Sequence, residues 1–479
     1  MEPRVETKLE GNSLSVPSVQ ELAKDPSLST VPPRYIRHHQ DPPIIPFITS
    51  SSLPQVPVID MKKLLIHLDH QEEFMGSELE KFHFACKDWG FFQLINHGVS
   101  SSVMDRMKAG VEGFFNLDVE EKNKFKQKAG EMEGLGQAFV VSEEQKLDWA
   151  DMFYIISLPT HLRNPHLFPN LPVAFRLWAT GIAGFESAFA DKELAVAFWV
   201  RVRRRAAQTT GSPSLAEQLE IGVIPSYKQA RRDQLLSSTV EEEASSNRKR
   251  GSSQLVRECK HLAPSRGKKP QRKKIINKQI ARDSLEAYSV EVKNIAQKLL
   301  HLTTKALKMN PNDMRELIEE GFQSMRMNYY PPCPQPNLVI GLNNHSDAVG
   351  LTILLQINDK EGLQIRKDGM WVPIKPLPNA FIVNIGDILE IVTNGIYRSI
   401  EHRAIVNADK ERLSVATFYS PKLDGELGPA PSLISKETPA LFMRIGVADY
   451  YKGFFSRQLH GKSYVDVIRI HNSDEEAKI

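Results

Sequence analysis

Between Phe322 and Ser420 the chain breaks into eight short apolar runs punctuated by Gly, Pro and Asn, a rhythm that limits the fold more than any other feature. The runs are Phe322–Tyr330, Leu338–Leu342, Leu351–Gln356, Leu363–Arg366, Trp371–Ile374, Phe381–Ile385, Ser399–Val406 and Arg412–Ser420. Each reads as a strand, and many short strands with turn residues between them predict a double-sheet jelly roll. Helical patterns come before and after it. The expected class is therefore mainly β with α (α+β), a double-stranded β-helix core with a helical N-terminal region.

The chemistry concentrates in the same stretch. His345-Ser346-Asp347 follows one apolar run, and residues at i and i+2 of a strand point the same way. A second histidine, His402, lies in another run. Two imidazoles and one carboxylate on one face of an iron leave the opposite positions open, the ligand set of non-haem Fe(II) oxygenases. The triplet alone is weak evidence, because His39-Gln40-Asp41 and His67-Leu68-Asp69 also match, and His97 follows the first at nearly the same spacing. Pro32, Pro33, Pro42 and Pro43 argue against a strand at His39, so surface or capping roles are expected for these histidines. Packing or turn roles are likewise expected for His83 and His97.

What the other triplets lack is Arg412-Leu413-Ser414, ten residues beyond His402. The two polar residues share a strand face, where a guanidinium fork grips a carboxylate and a hydroxyl donates beside it. Arg-x-Ser recurs at Arg282-Asp283-Ser284, so only its place beside a metal histidine makes it an anchor. A dicarboxylate held there, with its other end on iron, describes 2-oxoglutarate.

Met327-Asn328-Tyr329-Tyr330-Pro331-Pro332-Cys333-Pro334, Asn344-His345-Ser346-Asp347, Asn384-Ile385-Gly386-Asp387, Glu401-His402-Arg403 and Arg412-Leu413-Ser414 together resemble the plant 2-oxoglutarate- and Fe(II)-dependent dioxygenases. The likeness is nearest the codeine-demethylase and anthocyanidin-synthase branch. It implies that His345, Asp347 and His402 are the metal and catalytic residues, and that Asn328 and Tyr330 join Arg412 and Ser414 on the cosubstrate. It also implies O2 at the open position, ascorbate as reductant, and hydroxylation, O-demethylation or desaturation of a small specialised metabolite with release of succinate and CO2. In such enzymes the match of Gln137–Val141 borders the substrate, which makes Phe139 either a pocket residue or a core aromatic. Phe418, Tyr419 and Phe442 further suggest an apolar, aromatic pocket. Two other readings stay open: a same-fold oxidase or metal-dependent synthase that does not use 2-oxoglutarate, and a non-catalytic metabolite-binding protein.

An apolar share of 41% is ordinary for a globular protein. Three widely spaced cysteines, Cys86, Cys259 and Cys333, imply no disulfide framework and fit a reducing compartment. No apolar run approaches the roughly 18 residues of a membrane helix, and the first residues lack a signal-peptide core. The expectation is a cytoplasmic monomer with a small-molecule partner, no membrane and no nucleic acid, the nucleus being the second compartment.

Residues 1–53 read as an arm with a short helix at Val19–Ala23 capped by Ser18, and 54–176 as the N-terminal dioxygenase region. Residues 283–321 read as a supporting helix, 322–425 as the jelly roll, and 426–479 as a helical tail whose helix Leu441–Tyr464 lies over the barrel mouth. The family likeness stops after Arg176 and resumes at Asp283. Residues 177–282 hold 21 Lys and Arg against 10 Asp and Glu, leaving 40 against 48 elsewhere, so an acidic body carries a basic insertion. Clusters such as Arg203-Arg204-Arg205 and Lys268-Lys269 attract phosphate, but scattered charge and low hydrophobicity favour a solvated, disordered excursion over a nucleic-acid arm. Translated intron is a third reading. Closing a connection of about a hundred residues rather than a few costs on the order of 3 kcal/mol, at about 0.6 kcal/mol per doubling. Joining Arg176 directly to Asp283 should therefore raise the melting temperature and preserve turnover; lost activity would make the insertion a functional part.

Overall fold

The computed structural model describes residues 13–37, 54–69, 77–128, 130–164, 166–167, 270–457, 461–462 and 464–470. The chain divides into two units, Met1–Leu177 with Ile276–Ile479, and Trp178–Ile275. Every strand described below belongs to the first unit. His39, most of the basic insertion and the ends of the chain lie outside the described residues, as do the side chains of His67 and Asp69.

Among the described residues, twelve strands build the two main sheets: β1 Val58–Asp60, β2 Phe91–Ile95, β3 Gly134–Gly136, β4 Asp151–Leu158, β5 Phe322–Tyr330, β6 Leu342–His345, β7 Leu351–Gln356, β8 Leu363–Lys367, β9 Met370–Pro373, β10 Phe381–Ile385, β11 His402–Ala404 and β12 Arg412–Ser420. They form an eight-stranded sheet in the order β1-β2-β10-β7-β12-β5-β4-β3 and a four-stranded sheet in the order β6-β11-β8-β9. The two-sheet jelly roll is thus present. Antiparallel pairing prevails; β1 joins β2 in parallel at the sheet edge, where Pro57 costs no ladder bond.

The outer face of the large sheet is covered by helices whose apolar stripes were legible in the sequence. Leu285, Tyr288, Val292, Ile295, Leu299 and Leu302 of the helix Pro270–Ala306 are all buried in the main core. That helix starts before Asp283, so thirteen residues of the expected insertion belong to it. The helix Glu78–Phe84, continued by a wider turn over Ala85–Trp89, buries Leu79, Phe82 and Cys86. Ser18 caps Val19–Ala23 by accepting from the Glu21 amide.

Three expectations need correction. Leu338–Leu342 is not a strand: a short 3-10 turn covers Pro336–Leu338, and the ladder begins at Leu342. Val339 and Ile340 are buried, but the Ile340 carbonyl accepts from the Trp149 amide, so they pack without entering the sheet. Ser399–Val406 shrinks to β11 because the Ser399 amide donates to the Glu390 carboxylate instead of to a strand. The tail helix spans only Val447–Phe455; before it Met443 donates to Ile468, and Ile470 donates back to Leu441, so those segments pair with each other.

Gly90 ends the turn before β2 at φ 60°, and a Cβ there would lie 2.2 Å from the Arg398 carbonyl oxygen. Left-handed backbone in a non-glycine residue costs on the order of 1–3 kcal/mol before any such clash. Gly90→Ala should lower the midpoint of denaturant unfolding by at least that equivalent.

Candidate active site

The register of one strand pair creates the centre of the site. His345 closes β6 and stands directly opposite His402 of β11, with ring centroids 4.3 Å apart. Directly opposed side chains of a sheet share one face at close range. Asp347 lies just past the end of β6 rather than on it, so strand alternation alone does not aim it. Two neighbours do. Thr352 of β7 donates its hydroxyl to Oδ2 at 2.6 Å, and Asn384 of β10 donates Nδ2 to the same oxygen at 2.8 Å. Oδ1 is left 3.4 Å from His345 Nε2 and 3.6 Å from His402 Nε2.

The imidazoles are oriented from behind. His345 Nδ1 lies 2.7 Å from the Asn343 carbonyl and His402 Nδ1 lies 3.1 Å from that of Ile400. A carbonyl only accepts, so each Nδ1 carries a proton, and in the neutral ring Nε2 is the atom left with a lone pair toward the centre. Burial, with His345 close by, pushes His402 down to about 4. Burial opposes ionisation of Asp347, but His402, His345 and the Thr352 hydroxyl outweigh it and hold the carboxyl well below its usual range. Neutral imidazoles and an ionised carboxylate are the states a cation requires. Among the described residues these are the one His/Cys/Asp/Glu group with ligand atoms within 4.8 Å of one another.

The pocket at this centre is walled by the inward faces of the large sheet. On β12 the inward set is Arg412, Ser414, Ala416, Phe418 and Ser420, while Leu413, Val415 and Tyr419 face the main core. Phe418 is therefore a wall residue and Tyr419, expected beside it, is not, because strand alternation puts the two on opposite faces. Phe442 also packs in the core, with Arg469 over its ring. Phe139 lines the pocket at φ 64°, its ring stacked 5.6 Å from Phe455 and edge-on to Phe454. The tail helix thus delivers aromatic rings to the pocket.

At the far end, Arg412 is 2% exposed and opposes Tyr330 in register, with Ser414 opposing Asn328. Its Nη2 donates to Gln356 Oε1 at 2.9 Å, its guanidinium stands 5.2 Å from the Tyr330 ring centroid, and its Nε has no partner. No carboxylate among the described residues pairs with it. A buried cation with an orphaned donor is costly unless an anion completes it, and a ligand carboxylate fits.

Sequence reasoning quoted Asn384 in a motif but gave neither it nor Thr352 a role, although a lone Asn within the fully buried strand β10 was a usable signal. It also missed Arg326, Phe91, Phe454 and Phe455, which line the pocket. His97 is no ligand: Nε2 bonds the Asn379 carbonyl at 2.9 Å, and Nδ1 accepts from the Val99 amide. His83 meets the Tyr397 hydroxyl at 3.1 Å.

Fold and site together give a jelly roll that gathers a His-Asp-His group able to hold a metal ion, with a buried arginine in the same pocket. Comparison with known proteins agrees. Residues 321–421 match the 2OG-Fe(II) oxygenase superfamily, and 56–171 match the "non-haem dioxygenase in morphine synthesis N-terminal" family. The oxoglutarate-dependent flavonoid 7-O-demethylase 1 of Ocimum basilicum is 45% identical, covering 98% of this chain and 94% of its own. Codeine O-demethylase of Papaver somniferum is 41% identical over 98% and 100%. Among solved structures, JOX2 in complex with 2OG, Fe and JA aligns at a TM-score of 0.63 and 27% identity, over 96% of this chain and 99% of that one. The chain belongs to the 2OG-Fe(II) oxygenase superfamily. It is an oxidoreductase dependent on Fe(II) and 2-oxoglutarate, and its curated relatives include plant enzymes of specialised metabolism. Among the described residues no helix is long and apolar enough to cross a membrane.

His402→Ala should abolish high-affinity iron binding with little loss of secondary structure, because backbone ladders on both sides of β11 hold the strand that carries it. His97→Ala should leave iron content unchanged. Metal analysis of both purified variants checks the assignment, and the reverse pattern would refute it.

Proposed function

We propose that the chain removes a methyl group oxidatively from a planar aromatic methyl ether. The observation that carries this reading is the ring of Phe91, Phe139, Phe418, Phe454 and Phe455 around the pocket that holds the His345–Asp347–His402 group. Flat aromatic faces there favour an aromatic ligand by stacking and apolar burial. The activities for which the basil and poppy relatives are named, both O-demethylations, support the same class.

In this reading His345 and His402 hold Fe(II) through Nε2 and Asp347 holds it through Oδ1, each fixed by the hydrogen bonds described. Arg412, Ser414, Tyr330 and Asn328 hold the distal carboxylate of 2-oxoglutarate. Iron and 2-oxoglutarate, when bound, would supply with O2 the two-electron oxidant that acts on the substrate C–H bond, with succinate and CO2 released and ascorbate as reductant. The protein orients the methyl group toward the ligand triad and excludes water through its aromatic cover. Insertion of one oxygen atom into the methyl C–H bond leaves a hemiacetal, which breaks its C–O bond to give the free phenol and formaldehyde. Balance requires one succinate, one CO2 and one formaldehyde per methyl lost. The reading includes a cytoplasmic monomer without nucleic-acid partners.

A panel of methoxylated flavonoids and alkaloids, assayed for succinate and formaldehyde together, tests the function. Equal release with at least one of them is expected. Succinate without formaldehyde would indicate hydroxylation or desaturation instead, and turnover without succinate would indicate a synthase or oxidase. Arg412→Lys keeps the charge but loses the planar fork. Losing a charge-assisted hydrogen bond costs on the order of 1.5–3 kcal/mol, so KM for 2-oxoglutarate should rise roughly ten- to a hundredfold while iron content stays constant.

A further inference from the structure

β6 is the edge strand of its sheet, yet its outer edge is not bare. Gly461, far along the chain, forms a parallel bridge with His345. Its amide donates to the Asn344 carbonyl at 2.8 Å, and its carbonyl accepts from the Ser346 amide at 3.2 Å. One tail residue therefore brackets His345 from both sides of the chain, opposite the face of the ladder that β11 occupies. The backbone at Gly461 has φ 52°, the left-handed region that favours glycine, whereas an added Cβ would press only on the movable tip of Glu401.

The next residue fastens the tail. Lys462 Nζ donates to Glu390 Oε2 at 2.5 Å and to the Ser399 carbonyl at 2.6 Å. Glu390 is 2% exposed and also takes Arg469 Nη2 at 3.0 Å. It belongs to the helix Asp387–Val392, whose first residue touches the site directly. Asp387 accepts from the Ser346 hydroxyl at 3.0 Å, and its amide donates to the Asp347 carbonyl at 2.7 Å. Ser399 lies three residues before His402, and its amide donates to Glu390 Oε2 at 2.8 Å. Lys462 is thus bonded to the helix that fixes Asp347 and to the segment that leads into His402, while its neighbour Gly461 fixes His345.

We propose that Lys462 is a positioning residue for the metal centre: by locking the tail to Glu390 and Ser399 it holds all three ligands in the register that binds the cation. The proposal rests on the ligand assignment above. Its mechanism is preorganisation, since a tail held by charge-assisted bonds to a buried carboxylate removes the freedom of the edge strand before the metal arrives.

Co(II) titration into the metal-free full-length chain, followed by visible absorption without 2-oxoglutarate or substrate, reads this without turnover. Outer-shell partners of metal ligands change metal affinity by about ten- to a hundredfold, and Lys462→Met should weaken Co(II) binding by that much. Lys462→Arg should retain most of it. Gly461→Ala leaves the ion pair in place but displaces the bridge beside His345, and it should weaken Co(II) binding as well. Wild-type affinity and spectrum in Lys462→Met, whatever its melting temperature, would overturn the proposal. Should that variant fail to fold, wild-type Co(II) affinity in Gly461→Ala overturns it. If His402→Ala binds Co(II) like the wild type, the ligand assignment itself has failed.

Discussion

The antiparallel register of β6 against β11 is the constraint on which the rest of the site depends. It sets His345 beside His402, and a slip of one residue would turn one imidazole to the other face of the sheet. The register shifts between His402 and Ala404, so an irregularity sits immediately beside the ligand. Phe91 of β2 packs edge-on against the His402 ring at 5.3 Å, linking the large sheet to this pair. The carboxylate comes from a loop, and its aim derives from β7 and β10 through Thr352 and Asn384. The Asp347 carboxylate, just past the small sheet, is thus aimed by hydrogen bonds from the large one.

The pocket has a polar end and an aromatic end, and the fold bears a cost at each. Arg412 is taken out of water with no carboxylate among the described residues to pair with it, which leaves room for a bound anion to supply charge complementarity. Binding of such an anion to the folded state alone should stabilise the protein by mass action. At the other end Phe139 holds a left-handed backbone while its ring stacks on Phe455. Strain of this kind persists where surrounding packing fixes it, and here it places an aromatic face in the pocket.

Much of this was legible in the sequence because it follows from periodicity. β5, β7, β10 and β12 begin and end where the apolar runs do, and the buried face of the helix Pro270–Ala306 follows the 3.6-residue spacing of its apolar residues. The His345, Asp347 and His402 convergence was legible from spacing and from Arg412-x-Ser414 behind it. What was not legible came from long-range hydrogen bonds. Val339 and Ile340 looked like strand residues, but their backbone bonds lie elsewhere. Ser399 left its strand for a carboxylate nine residues upstream. Tyr419 differs from Phe418 only in which way a strand residue points, which the sequence supplies once the face of Arg412 is chosen. Phe454 and Phe455 belong to the tail helix expected over the barrel mouth, but no local pattern says which of its rings reach the pocket.

The central claim is that one metal and one 2-oxoglutarate bind as a unit between the His345–Asp347–His402 group and Arg412. Calorimetric titration of 2-oxoglutarate into anaerobic protein, with and without Fe(II), tests it most directly. One equivalent should bind in each case, far more tightly with iron, and the gain should vanish in Asp347→Asn. Equal affinity with and without iron, or a gain that survives Asp347→Asn, would contradict it.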